Sequence, residues 1–104
     1  MYVIIWEHQV QAAHLIEFEK IYHANGAWEE LFRKAPGYIS TELLRDGTNP
    51  NTYITIDRWN SSESYETFHS QFKKEYEMLD VQCEELTEHE ILIGKWESVN
   101  NETR

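Results

Sequence analysis

The sequence predicts an α+β domain of the ferredoxin-like kind, with the element order β-α-β-β-α-β. Two observations in one stretch point there first. Tyr53 to Trp59 (Tyr-Ile-Thr-Ile-Asp-Arg-Trp) alternates in side-chain type and is rich in β-branched and aromatic residues, as a strand is. At Asn60–Ser61 the period changes, and Tyr65, Phe68, Phe72, Tyr76 and Leu79 recur at three- and four-residue steps, as on a helix with one buried face. A third observation is that a strand followed by a helical pattern also opens the chain, and an apolar strand closes it. The expected product is one antiparallel sheet of four strands with the helices on one face.

The elements follow in order. Tyr2 to Val10 reads as a strand whose first half is apolar at every position, which implies cover on both faces. Leu15, Phe18, Ile21 and Tyr22 then line one side of a helix that ends near His23, because Asn25-Gly26 interrupts it. Glycine inside a helix costs about 1 kcal/mol relative to alanine. A shorter helix carries Trp28, Leu31 and Phe32, and Pro36-Gly37 closes the helical region. Tyr38 to Arg45 is a second strand, and Asp46 to Asn51 is a dense turn signal that joins it to the Tyr53 strand as a hairpin. Asn60, Ser61 and Ser62 are all good helix N-caps, and Asn60 with Glu63 has capping-box spacing. The second helical face runs past Leu79 toward Cys83 and Leu86, as one long helix or a broken one. Glu90 to Glu97 is the fourth strand.

A chain of 104 residues has room for one domain. Residues 1–99 are expected to form it, with Asn100 to Arg104 as a polar tail. The net charge of −10, with nineteen acids against nine Lys and Arg, argues against nucleic acid and anionic membrane as partners. Cys83 is alone, so no internal disulfide can form, which suits a reducing cytoplasm. Tyr2 to Val10 is too short and too polar for a signal or a span. The expected setting is cytoplasmic and soluble. Because the first and fourth strands are apolar on both faces, something must cover the sheet opposite the helices. A second copy of the chain is the economical cover, giving a homodimer with an interface above roughly 1,200 Å².

Motifs for phosphate binding, serine hydrolysis, paired thiols and a zinc-binding helix are absent, as is any metal-ligand cluster. Candidate chemistry therefore rests on single residues. His8 and Trp6 point the same way on the first strand, so an aromatic wall with a titratable group beside it is one possibility. Glu7 points the other way, and one of Glu7 and His8 must face the helices. Asp57 shares a face with Thr55 and Trp59, and either orients a pocket group or pairs with Arg45 or Arg58. His69 stands one position past Phe68, at the flank of its helix; His14, His23 and His89 fall near element ends and read as surface residues.

Thr55-Ile56-Asp57-Arg58-Trp59-Asn60-Ser61, running on to Tyr65 and Phe68, resembles the strand-to-helix segment of the antibiotic biosynthesis monooxygenase family, and the late Gly94-Lys95-Trp96 strand is also similar. The resemblance spans roughly Met1 to Val99. It implies a dimeric α+β barrel, in which two ferredoxin-like subunits pack sheet against sheet and each holds a pocket between sheet and helices. It also implies cofactor-independent oxidation of a small aromatic quinol or phenol. Phe18, Tyr22, Trp28, Tyr65 and Phe68 would line the pocket together with Trp6, Asp57 and His69, and His8 or Glu7 would be the proton acceptor. Family members often carry a His nine residues after the strand Trp, where this chain has Phe68, with His69 one position on. The haem-degrading branch has an Asn where Glu7 stands and an iron-ligating His where Met78 stands, so the resemblance does not extend to haem degradation.

Two other readings remain beside the enzyme: a module that binds an aromatic metabolite without converting it, and a structural dimer whose pocket is filled by its own side chains. An open cavity containing a titratable group favours the enzyme, an open cavity without one the binding module, and no cavity the structural dimer.

Overall fold

Four antiparallel strands lie in the order β2-β3-β1-β4 in the computed structural model, which describes residues 1–99. The tail expected from Asn100 to Arg104 lies outside the described residues. The strands are β1 (Tyr2–Val10), β2 (Tyr38–Arg45), β3 (Thr52–Trp59) and β4 (Thr87–Glu97). β1 sits inside the sheet and pairs with β3 on one side and β4 on the other, while β2 and β4 form the edges. That is the ferredoxin-like topology the element order predicts.

One face of the sheet carries the helices: α1 (Leu15–Tyr22), α2 (Ala27–Phe32), α3 (Ser62–Gln71) and α4 (Lys73–Cys83), with short 3₁₀ turns at Ala12–His14 and Glu84–Leu86. The break between α1 and α2 falls where Asn25-Gly26 predicts it. Asn25 takes a left-handed φ of 66°, and a Cβ on Gly26 would stand 2.3 Å from the Ile21 carbonyl oxygen, so no other residue fits there. Gly37 enters β2 at φ +93°.

Two expectations are adjusted and one open alternative is decided. The cap of α3 is Ser61, whose hydroxyl accepts from the Ser64 N–H at 3.1 Å, so the Asn60–Glu63 capping box does not form. Asn60 is engaged elsewhere, its N–H donating to the Gly37 carbonyl at 2.7 Å. The second helical stretch is broken, with Phe72 at φ −115°, ψ 26° between α3 and α4; Phe68 and Tyr76 on either side remain in contact at 6.2 Å. β4 begins three residues before the expected Glu90, since Thr87 pairs with Val10.

The core is aromatic. Trp59 and Phe68 are fully buried and meet Phe32 at 5.7 and 5.2 Å, while Tyr38 and Tyr65 close on Trp59 from its two sides. The face away from the helices is also apolar. Val3, Ile5, Ile54 and Ile56 lie at its centre, and Leu44, Ile91 and Trp96 are each about half exposed on it. Among the described residues no helix is long and apolar enough to cross a membrane.

Candidate active site

Parity along each strand decides which side chains meet the helices. On β1 the even positions do: Ile4 and Val10 are almost completely buried, and His8 is 3% exposed. Glu7 falls on the opposite face, between Ile54 of β3 and Ile91 of β4, away from the helices. Of the two, His8 is the one that faces the helices. On β3 the odd positions face inward, which buries Tyr53, Thr55, Asp57 and Trp59.

Between this face and the helices lies a cavity of about 190 Å³. Trp6 and His8 of β1, Thr41 of β2, Thr55 and Asp57 of β3 and Glu90 of β4 form its sheet side. Tyr22 of α1, Trp28 and Phe32 of α2, and Tyr76 and Asp80 of α4 form its helical side. The walls are mainly aromatic, and the polar groups are gathered on the sheet apart from Asp80 of α4.

His8 is held at both ring nitrogens. Its Nδ1 is 2.6 Å from Glu90 Oε2 and its Nε2 is 2.9 Å from Thr55 Oγ1. Beside an ionised Glu90, Nδ1 carries the proton and donates it, which leaves Nε2 to accept from the Thr55 hydroxyl. The ring is also wedged against Phe18 and Tyr22 at 5.3 and 5.2 Å, which fixes its plane.

Asp57 is nearly as deep, at 9% exposed. The Thr41 hydroxyl donates to its Oδ1 at 2.7 Å, and Thr41 Oγ1 is itself 2.7 Å from the Tyr38 hydroxyl. Burial pushes the Asp57 carboxyl up to about 6, against the opposing effect of the Thr41 hydrogen bond. Neither expected arginine pairs with it: Arg58 turns to Glu42 on the other face at 2.7 Å, and Arg45 to Glu19 at 2.8 Å. At the rim, burial and the neighbouring charges of Glu90 and Glu84 raise the Asp80 carboxyl. Burial likewise raises the Tyr22 and Tyr76 hydroxyls, so both stay protonated at neutral pH.

Of the residues expected at the site, the structure brings Trp6, His8, Tyr22, Trp28 and Asp57 together around one space. Phe18, Tyr65, Phe68 and His69 do not line it. Phe18 is fully buried behind Tyr22, stacked on it at 4.1 Å, and Phe68 is fully buried under Trp59 and Phe32. Tyr65 packs against Tyr2 and Trp59. His69 lies between the rings of Tyr65 and Tyr76 at 4.5 and 4.6 Å, and burial lowers its pKa. It borders an adjoining groove with Ser70, Lys73 and Glu77, which shares Tyr76 and Asp80 with the cavity. Met78 is exposed. Sequence reasoning missed Phe32, Thr41, Tyr76, Asp80 and Glu90 as lining residues, and gave Thr55 no role. Strand register could have found two of them, because Thr41 stands opposite Asp57 and Glu90 opposite His8. Among the described residues no group of three or more His, Cys, Asp or Glu could hold a metal ion.

No curated protein sequence matches the chain. Solved structures do. The chain is similar to the cofactor-independent oxygenase SnoaB from Streptomyces nogalater (TM-score 0.77, 17% identity, covering 99% of this chain and 97% of that one). It is also similar to Rv0793 from Mycobacterium tuberculosis (TM-score 0.75, 12% identity, 98% of each chain). A third is a conserved protein from Methanosarcina mazei Go1 (TM-score 0.72, 12% identity, covering 94% of this chain and 92% of that one). At these identities the likeness establishes the fold. The family model for antibiotic biosynthesis monooxygenase matches residues 1–72, which include β1, the β2–β3 hairpin and α3 and hence His8, Thr55 and Asp57. The chain has the ferredoxin-like subunit fold of the dimeric α+β barrel and belongs to the antibiotic biosynthesis monooxygenase family.

Proposed function

We propose that the protein is a cofactor-independent monooxygenase of a small phenol or quinol, bound in the cavity between sheet and helices. The observation that carries this is His8, buried at the cavity wall with Nδ1 anchored on Glu90 and Nε2 directed at Thr55. A base in that setting has its tautomer chosen for it, and the Thr55 hydroxyl hands it the substrate's proton. Asp57, two residues along the same strand face, accepts from a second polar group of the ring. The phenolate carries negative charge onto a ring carbon, which adds O₂ as a peroxide. The proton held on His8 returns through Thr55 to the peroxide. The hydroperoxide then loses water, taking the hydrogen of the same carbon and breaking the O–O bond, to leave a carbonyl. Trp6, Tyr22, Trp28 and Phe32 exclude solvent from the anion while it forms. The similarity to SnoaB, a cofactor-independent oxygenase, supports the same reading.

We further infer that residues 1–99 act as one domain, that the lone buried Cys83 suits the cytoplasm, and that two copies join through the outer sheet face. The half-exposed Ile91 and Trp96 on that face support the pairing. The test of activity is oxygen uptake with single-ring hydroquinone and catechol probes in chelator-treated buffer without flavin or haem. Uptake should fall by about 10²–10⁴ in His8→Ala, the range for loss of one general base. Full activity in that variant would show that the base is misassigned, and no uptake by wild type would remove the enzyme reading.

A further inference from the structure

The cavity's charge is one-sided. Asp57, Asp80 and Glu90 line it, and no Lys or Arg does. These carboxylates are not equivalent. Glu90 is committed to His8, and Asp57 takes its hydrogen bond from Thr41. Asp80 makes no ion pair among the described residues, so its charge is available to a ligand at the rim. Volume sets a second limit. A cavity of about 150 Å³ accommodates benzene, and pockets for drug-sized ligands start at about 300 Å³. The 190 Å³ here holds one substituted ring.

We propose that this cavity selects uncharged or cationic single-ring phenols against anionic ones, with Asp80 as the selecting charge and Asp57 and Glu90 adding to the same field. A ring bearing a carboxylate would bring a like charge close to three carboxyl groups with no Lys or Arg in the cavity lining to receive it, whereas an ammonium arm finds Asp80 at the mouth. The nearest lining cation is Lys73 of the adjoining groove, beyond Asp80. The inference rests on the reading of the cavity as an aromatic-binding site, but not on oxygenation, so it is tested by binding alone.

Three catechols of matched size serve as probes: 4-ethylcatechol (neutral), dopamine (cationic) and 3,4-dihydroxyphenylacetate (anionic). Calorimetry under argon, which prevents turnover, should rank them dopamine and ethylcatechol ahead of the acid by about tenfold or more. Asp80→Asn should narrow the gap between dopamine and the acid severalfold, whereas Glu75→Gln, an exposed change on the same helix but outside the cavity, should leave the gap as it is. Equal or tighter binding of the acid, an unchanged gap in Asp80→Asn, or no binding of any probe would each overturn the proposal. Selective binding without oxygen uptake would leave it standing and remove only the oxygenase reading.

Discussion

Asp57→Asn should make the protein more stable at pH 8 and much less so at pH 5. The reasoning starts from the site: a carboxyl 9% exposed, with a single neutral donor, Thr41, and its pKa pushed from 3.8 up to about 6 by burial. A shift of about two units corresponds to about 3 kcal/mol between the protonated and ionised forms, at about 1.4 kcal/mol per unit. Because the folded pKa is raised, the group favours the fold fully below about pH 3.8. That contribution is lost as pH rises through about 6, leaving the whole penalty at pH 8. An amide is neutral at every pH, has nearly the same shape, and its oxygen still accepts from Thr41. The variant should therefore gain up to about 3 kcal/mol over wild type at pH 8, and that gain should shrink by roughly 1.4 kcal/mol by pH 5. Urea unfolding at fixed protein concentration, at both pH values, measures it, and the pH-dependent difference is insensitive to any constant change in packing. An advantage equal at the two pH values, or none at either, would mean that the carboxyl is already solvated in the folded protein.

Four other outcomes follow from the packing. Trp59→Ala should destabilise by about 3–5 kcal/mol in urea unfolding, because its fully buried indole meets Phe32, Tyr38, Tyr65 and Phe68; a loss under 1 kcal/mol would contradict that. Ser61→Ala should cost about 1 kcal/mol by removing the α3 cap, and Asn60→Ala less than half of that, since Asn60 is held through its backbone. Gly37→Ala should cost at least about 1 kcal/mol, from its φ of +93° and a Cβ 2.5 Å from Ser64 Oγ; a neutral result would show that the β2 entry can relax. Light scattering at micromolar concentration should give a dimer for wild type and a monomer for Ile91→Glu, and a monomeric wild type would refute the outer-face pairing.

Most of the fold was legible because two periods, 2 and 3.6, are written plainly in apolar and aromatic residues. Tyr2–Val10 and Tyr38–Arg45 are strands to the residue. The errors fall where the pattern is silent. Thr87, Glu88 and His89 carry no alternation because they lie on an edge strand, so β4 read three residues short. Asn60, Ser61 and Ser62 offer equal local claims to cap α3, and a tertiary bond from Asn60 to Gly37 chooses between them. In the cavity, periodicity showed which side of a helix turns inward but not what it meets there. Phe18 and Tyr22 share an inward stripe, and only Tyr22 reaches open space.

The polar half of the site is assembled by register, which lies one level above periodicity. His8 finds Glu90 because β1 and β4 pair at that position, and Asp57 finds Thr41 because β2 and β3 do. A slip of one residue in the β1–β4 ladder would bring Ile91 or His89 opposite His8, and the imidazole would lose the carboxylate that fixes its tautomer. The same slip in the hairpin would set Ser40 or Glu42 opposite Asp57, and in the second case two carboxylates would stand in place of a donor and an acceptor. The aromatic walls would survive either slip, since they come mainly from the helices and from parity. The polar contacts would not, so the polar half of the cavity depends on strand pairing more strictly than the fold does.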